Sequence, residues 1–113
     1  MSSLRRDKFE RLWERLDAEA LAAKQSQEAT VRLTSFYAGL DEGDRAVVNA
    51  AIAEWVVGDD NRRRFDALAL IQEFEIRSAV PALRQRLRGL AGVAEGPAAD
   101  ERERIERIAT GLS

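Results

Sequence analysis

The sequence contains neither cysteine nor histidine. Without cysteine the chain can form no disulfide and can offer no thiolate to a substrate or to a zinc ion. Without histidine it lacks the side chain that most often serves as general base or transition-metal ligand. Carboxylates remain, but Glu73 and Glu75 are too close in sequence to share a helix face. Asp59 and Asp60 are explained as helix caps. We therefore expect a protein that is not an enzyme and that uses no cofactor and no metal.

Proline is scarce, with two residues, and no apolar run approaches the roughly 20 residues that a membrane-spanning helix needs. No apolar run follows Arg5 and Arg6, so we expect no secretory signal and a cytoplasmic protein with no membrane contact. No segment alternates between apolar and polar residues as a half-buried strand would. Apolar residues instead recur at helical spacing, which predicts an all-α fold in a single domain spanning residues 1–113.

Six helices are predicted from apolar stripes and capping residues. They cover residues 3–24 and 27–39, the segment between Asp41 and Gly58, a segment from a cap at Asp59 or Asp60 to Phe74, a segment from a cap at Ser78 to about Leu90, and residues 100–112. Ser26 is the expected cap of the second helix, and Gly39 is expected to end it in a left-handed conformation. Asp100 and Glu103 predict a capping box at the last helix.

Residues 60–91 form the most regular pattern, two apolar helices joined by a very short connection. Their apolar positions are Ala67, Leu70, Ile71 and Phe74 in the first helix, and Val80, Leu83, Leu87 and Leu90 in the second. Pro81 is tolerated in an early helix position because its missing N–H has no partner there. The connection is short enough to predict an αα-hairpin. Apolar residues circle most of its first helix, which we expect to be the most buried.

The same stretch resembles a HEAT-type helical repeat, in which a short turn leads into a Val-Pro-x-Leu opening of the second helix. The residues that carry the resemblance are Arg64, Ala67, Leu70, Ile71, Phe74, Ala79, Val80, Pro81, Leu83 and Leu87. The resemblance implies a HEAT-like stack of αα-hairpins, or helical bundle. The stripes of residues 3–24 and 100–112 would cover its two ends. If they did not, the exposed apolar edge would drive formation of a homo-oligomer.

Charge is unevenly distributed along the chain. Residues 25–61 carry two basic and seven acidic residues, a balance of −5, whereas residues 62–88 carry seven arginines and three acidic residues, a balance of +4. These faces either neutralise each other across the stack or present a dipolar surface. HEAT-like proteins include DNA-binding enzymes that hold phosphates on a basic concave surface, so nucleic-acid binding through residues 62–88 is the alternative. The net charge of −2 counts against it. Arginines 62–64 also oppose the helix dipole, and we expect them to be solvated.

The function most consistent with these features is a non-enzymatic protein–protein interaction module. A small acidic chain of this kind would suit an inhibitor or immunity protein that masks a toxic enzyme, although no motif indicates this. Trp13 and Trp55 lie on apolar stripes and are expected in the core. The candidate partner-binding residues, on the third to fifth helices, are Glu54, Asp59, Asp60, Arg62, Arg63, Arg84 and Arg88. They would supply charge complementarity at the rim of an interface.

Overall fold

The computed structural model describes residues 4–24 and 26–112, and within them it is all-α, with six α-helices and no strand. The all-α prediction is confirmed. The elements are α1 (Arg6–Ala22), α2 (Ser26–Ala38), α3 (Glu42–Val57), α4 (Asn61–Phe74), a 3₁₀ turn (Arg77–Ala79), α5 (Val80–Gly89) and α6 (Pro97–Leu112). The chain divides inside α3 into two compact units, one up to Ala51 and one from Ile52 onward. That residues 1–113 behave as one domain stays a prediction.

In the first unit α1 packs against α2. The buried stripe of α1 contains Phe9, Trp13, Leu16 and Ala20, as the sequence predicts. The Phe9 ring stacks on Phe36 of α2, with 6.4 Å between the ring centroids. Ser3 and the side chain of Ser26, the predicted cap of α2, lie outside the described residues.

The first turn of α3 is fixed by two carboxylates of this unit. Asp41 Oδ1 accepts a hydrogen bond of 2.8 Å from the backbone N–H of Asp44, which confirms the predicted cap. Asp44, itself buried, accepts a bond of 2.9 Å from the backbone N–H of Leu4. The segment that precedes α1 is thereby tied to the start of α3.

Tyr37 is a buried polar residue of the same unit. Its hydroxyl donates to Asn49 Oδ1 at 2.8 Å, and the Arg45 guanidinium carbon lies 4.9 Å from the ring centroid. Burial raises the pKa of the Tyr37 phenol, and the positive charge of Arg45 offsets part of this increase.

In the second unit α6 packs against both α5 and α4. The Asp60 carboxylate caps α4 by accepting from the backbone N–H groups of Arg62 and Arg63, at 3.0 and 3.1 Å, as predicted. At the other end Glu75 adopts a left-handed conformation, with φ of 50°. The N–H of buried Ile76 then bonds back to Ile71 O at 3.1 Å. This is the Schellman arrangement, formed here without glycine.

Helix α2 ends and α5 begins within two residues of the predicted positions, but the roles predicted for Gly39 and Ser78 are wrong because the chain turns there by 3₁₀ geometry. Gly39 does not take a left-handed conformation, and α2 ends with bonds from Gly39 N to Phe36 O and from Leu40 N to Tyr37 O. Ser78 does not cap α5, since it lies inside the 3₁₀ turn and Ala79 precedes the helix without a side-chain cap. Backbone that is already helical leaves no extended residue to act as a cap.

The predicted start of the last helix is also wrong. Helix α6 begins at Pro97, three residues before Asp100, so Asp100 belongs to its first turn and the capping box with Glu103 does not form. Gly96 O accepts from the N–H groups of Ala99 and Asp100 at 3.0 and 3.3 Å. Proline suits the first helical position, where its fixed φ is helical and no N–H is required.

Candidate protein-binding surface

Five of the predicted partner-binding residues lie around the start of α4. Glu54, Asp59, Asp60 and Arg62 are exposed, and Arg63 is partly buried. The Arg63 Nε lies 3.7 Å from Asp60 Oδ2, and its guanidinium carbon is 5.2 Å from the ring centroid of Trp55. Trp55 is buried, as predicted, and Arg63 covers it.

The two remaining candidates, Arg84 and Arg88, are exposed and one turn apart on α5. Arg86, which lies between them in sequence, takes part in a different structure. Its Nε donates to Glu101 Oε1 of α6 at 3.0 Å. Arg86, which is not among the predicted binding residues, therefore connects α5 to α6.

Arg64 is the most deeply buried charged side chain described, with 3% of its surface exposed. Its guanidinium donates to Gly58 O at 2.6 Å and to the side chain of Asn61. Its Nε lies 2.8 Å from Glu101 Oε1, an ion pair without the alignment of a hydrogen bond. Glu101 Oε1 is therefore shared by Arg64 of α4 and Arg86 of α5. The expectation that Arg64 is solvated is wrong, because Arg64 lies on the same helical stripe as buried Ala67 and Ile71.

Phe65, the next residue, is a large apolar side chain with 50% of its surface exposed. The Arg104 guanidinium carbon of α6 lies 5.1 Å from its ring centroid, within cation–π distance. A groove of 240 Å³ opens beside the ring, and it is lined by Asn61, Phe65, Leu68, Asp100, Glu101 and Arg104. Helix α4, which the sequence predicts to be the most buried, does bury Ala67, Leu68, Leu70 and Ile71, and Phe65 is its exposed large apolar residue.

A second groove of 200 Å³ involves the same two helices and includes Gln72, Arg107 and Gly111. Phe65, Leu68 and Gln72 follow one another at i, i+3 and i+7, so both grooves border one stripe of α4. We name this surface the α4–α6 face and define it by Phe65, Leu68, Gln72, Arg104, Arg107 and Gly111.

Arg104, on the α4–α6 face, is partly desolvated and lies near a second positive charge. Burial lowers the pKa of Arg104, the positive charge of Arg107 lowers it further, and Glu101 offsets part of the effect. Arg104 nevertheless stays charged at neutral pH, since arginine titrates far above it. The centre of the face is thus cationic and partly desolvated beside an exposed aromatic ring.

Within residues 4–24 and 26–112 no group of three or more acidic side chains is arranged to hold a metal ion. No helix in the same part of the chain is long and apolar enough to cross a membrane. Among the catalytic candidates, Asp60 serves as the cap of α4 and Glu75 ends the same helix.

No family model, curated protein or solved structure matches this chain. The resemblance of residues 60–91 to a HEAT-type repeat stays a prediction. Without a matching protein, only the residues, grooves and charges of the α4–α6 face indicate what it can bind.

Proposed function

We propose that this chain is a non-enzymatic protein-binding module and that the α4–α6 face is its contact surface. The observation that supports the proposal is the half-exposed Phe65 beside Arg104. Aromatic and arginine side chains contribute most of the binding free energy at protein interfaces, and they do so from partly enclosed positions near the centre. Leu21 and Val31 are exposed to a similar degree, so the proposal depends on the pairing of the Phe65 ring with Arg104 beside a groove and not on exposure alone.

The surroundings of Phe65 favour binding because they are already ordered. Arg64 and Arg86 converge on Glu101 immediately beside the groove, and together these three side chains connect α4, α5 and α6. A surface carried on interlocked helices loses little conformational freedom when a partner docks. A flexible loop with the same residues would bind more weakly.

The residues predicted from the sequence have a supporting role in this proposal. Arg62 lies one helical turn before Phe65 and is exposed, so it can act at the rim of the same interface. Exposed rim charges affect the association rate more than the affinity.

The inhibitor or immunity-type role and the cytoplasmic location belong to the proposal as well, and cell fractionation would test the location.

The alternative, nucleic-acid binding through residues 62–88, is weakened by the same contacts. Two of the seven arginines in that segment, Arg64 and Arg86, are engaged by Glu101 and are buried or partly buried. Fewer cations are therefore available to neutralise phosphates than the sequence count suggests. Binding of that kind would fall steeply with added salt.

The test is an affinity pull-down from a lysate of the source organism, treated with nuclease, using the wild-type chain and two variants. Phe65→Ser removes the exposed ring, and Leu21→Ser is the matched control because Leu21, on α1, is equally exposed at 52%. We expect a protein that the wild-type chain and Leu21→Ser retain and that Phe65→Ser loses. Retention that depends on intact nucleic acid, or that is equal for all three chains, contradicts the proposal.

A further inference from the structure

We infer that the α4–α6 face binds an acidic, apolar peptide segment, which places an apolar side chain against Phe65 and a carboxylate between Arg104 and Arg107. This inference rests on the proposed function and adds the chemistry of the partner. Three features of the face support it, namely its apolar wall, the position of its cations and the position of its acidic residues.

The apolar part of the face has room for one side chain. Phe65 forms a wall and the almost fully buried Leu68 forms part of the floor of the 240 Å³ groove. One face of the Phe65 ring is covered by Arg104, yet half of the side chain still meets solvent. Covering the rest with an apolar group of the partner removes apolar surface from water, which favours binding.

The cationic part lies next to it on α6. Arg104 and Arg107 are one turn apart, so their positive charges repel each other. Burial is the main cause of the lowered pKa of Arg104, and the charge of Arg107 adds to it. Asp100 and Glu101 border the grooves at one end of the face and Glu75 at the other, and Glu103 and Glu106 border a further groove that also includes Arg107. Glu101 is already shared by Arg64 and Arg86. A partner carboxylate placed between Arg104 and Arg107 would relieve their repulsion and accept charge-assisted hydrogen bonds from both.

The same charges disfavour a basic partner, whose cations would meet Arg104 and Arg107 in a partly desolvated place. Phosphate would satisfy the arginines but would leave the exposed half of the Phe65 side chain in water. An acidic segment that also carries apolar residues satisfies both parts of the face.

The experiment is selection of a random peptide library, displayed on phage, against the wild-type chain. The enriched peptides are then synthesised and titrated into wild-type protein and into Phe65→Ser, Arg107→Gln and Leu21→Ser variants. We expect enriched peptides to combine Asp or Glu with apolar residues. We expect Phe65→Ser and Arg107→Gln each to lower their affinity about tenfold, while Leu21→Ser leaves it unchanged.

A double-mutant cycle tests whether the peptide carboxylate contacts Arg107. Replacing the peptide carboxylate with its amide should cost affinity for the wild-type chain and cost little for Arg107→Gln, because the pair is already broken. Equal losses in both backgrounds contradict the inference. Circular dichroism of each variant confirms that it is folded, and Arg107 is exposed, so its substitution should not disturb the helix.

Each remaining outcome has a definite meaning. Basic or neutral peptides that still require Phe65 overturn this inference and leave the proposed function standing. Peptides whose binding ignores Phe65 contradict both. Recovery of no peptide overturns the inference. Self-association in sedimentation velocity that Phe65→Ser abolishes also overturns it, because a second copy would then be the occupant of the face.

Discussion

At the scale of single residues, Arg64 illustrates how a charged side chain can belong to the interior. Burial of an unpaired guanidinium would cost several kcal/mol, and here a carbonyl, an amide oxygen and a carboxylate surround it. The helical stripe of α4 indicates that Arg64 faces inward. The partner could not be predicted, because Glu101 is distant in sequence and the 3₁₀ turn and α5 lie between the two residues.

Removing the Arg64 side chain should be strongly destabilising. Arg64→Ala leaves Gly58 O and the Asn61 side chain without their buried donor, and we expect the free energy of unfolding to fall by about 3 kcal/mol. Arg88→Ala, at an exposed position of α5, should change it by less than about 0.5 kcal/mol. Urea unfolding followed by circular dichroism measures both. Equally small decreases in the free energy of unfolding for both variants would show that the contacts of Arg64 with Gly58, Asn61 and Glu101 do not hold the helices together.

Tyr37 offers a test by pH, because it is the only tyrosine in the chain. Its phenol has a raised pKa from burial, so the folded state holds the proton more tightly than the unfolded state does. The corresponding stability is complete below the unfolded value of about 10 and is lost as the pH rises above it. Ultraviolet titration of the phenolate should give a midpoint above that of the urea-unfolded chain. A midpoint at or below that reference contradicts the burial of Tyr37.

At the scale of elements, the sequence predicts each helix and places its ends within about three residues, but it predicts the interactions that end each helix less well. Asp41 and Asp60 are confirmed as caps because an aspartate before a helix has one strongly favoured role. The predicted left-handed end at Gly39 and the predicted cap at Ser78 are wrong because the chain forms 3₁₀ turns there. The predicted capping box at Asp100 is wrong because the helix begins earlier, at Pro97. Local sequence does not decide between these arrangements.

Helix α4 ends at Glu75, and its left-handed backbone can be tested with a matched pair of substitutions. A side chain in this region costs about 1 kcal/mol, so Glu75→Gly should not destabilise the protein and can stabilise it slightly. Glu73→Gly, at an exposed position inside the helix, should lower the free energy of unfolding by about 1 kcal/mol. Thermal unfolding of both variants makes the comparison. A larger loss for Glu75→Gly than for Glu73→Gly would contradict the left-handed end.

At the scale of the whole molecule, the charge asymmetry read from the sequence is real but is not all surface. Part of the positive charge of residues 62–88 lies inside the second unit, on Arg64 and Arg86 beside Glu101. The α4–α6 face could not be predicted for a related reason. Phe65 and Arg104 belong to different helices, and no local pattern places them 5.1 Å apart. The partner-binding residues predicted from the sequence lie near the start of α4 or on α5, because charge is the feature by which the sequence distinguishes them.

Phe65, the exposed ring of the α4–α6 face, should be dispensable for folding, as a residue of a binding surface is and a core residue is not. Phe65→Ser loses only the buried half of the ring, so we expect the free energy of unfolding to fall by about 1 kcal/mol or less. Phe9→Ser, in the fully buried core of the first unit, should cost more than 3 kcal/mol. Chemical denaturation distinguishes the two. A loss at Phe65 as large as that at Phe9 would indicate a structural role for the exposed ring.

The most direct test of the account is the affinity of the partner recovered from the lysate, measured by titration calorimetry against wild-type, Phe65→Ser and Leu21→Ser chains. The account predicts that Phe65→Ser weakens binding at least about tenfold, which is roughly 1.4 kcal/mol, and that Leu21→Ser binds like wild type. Equal affinity of all three chains would contradict the assignment of the α4–α6 face as the binding surface.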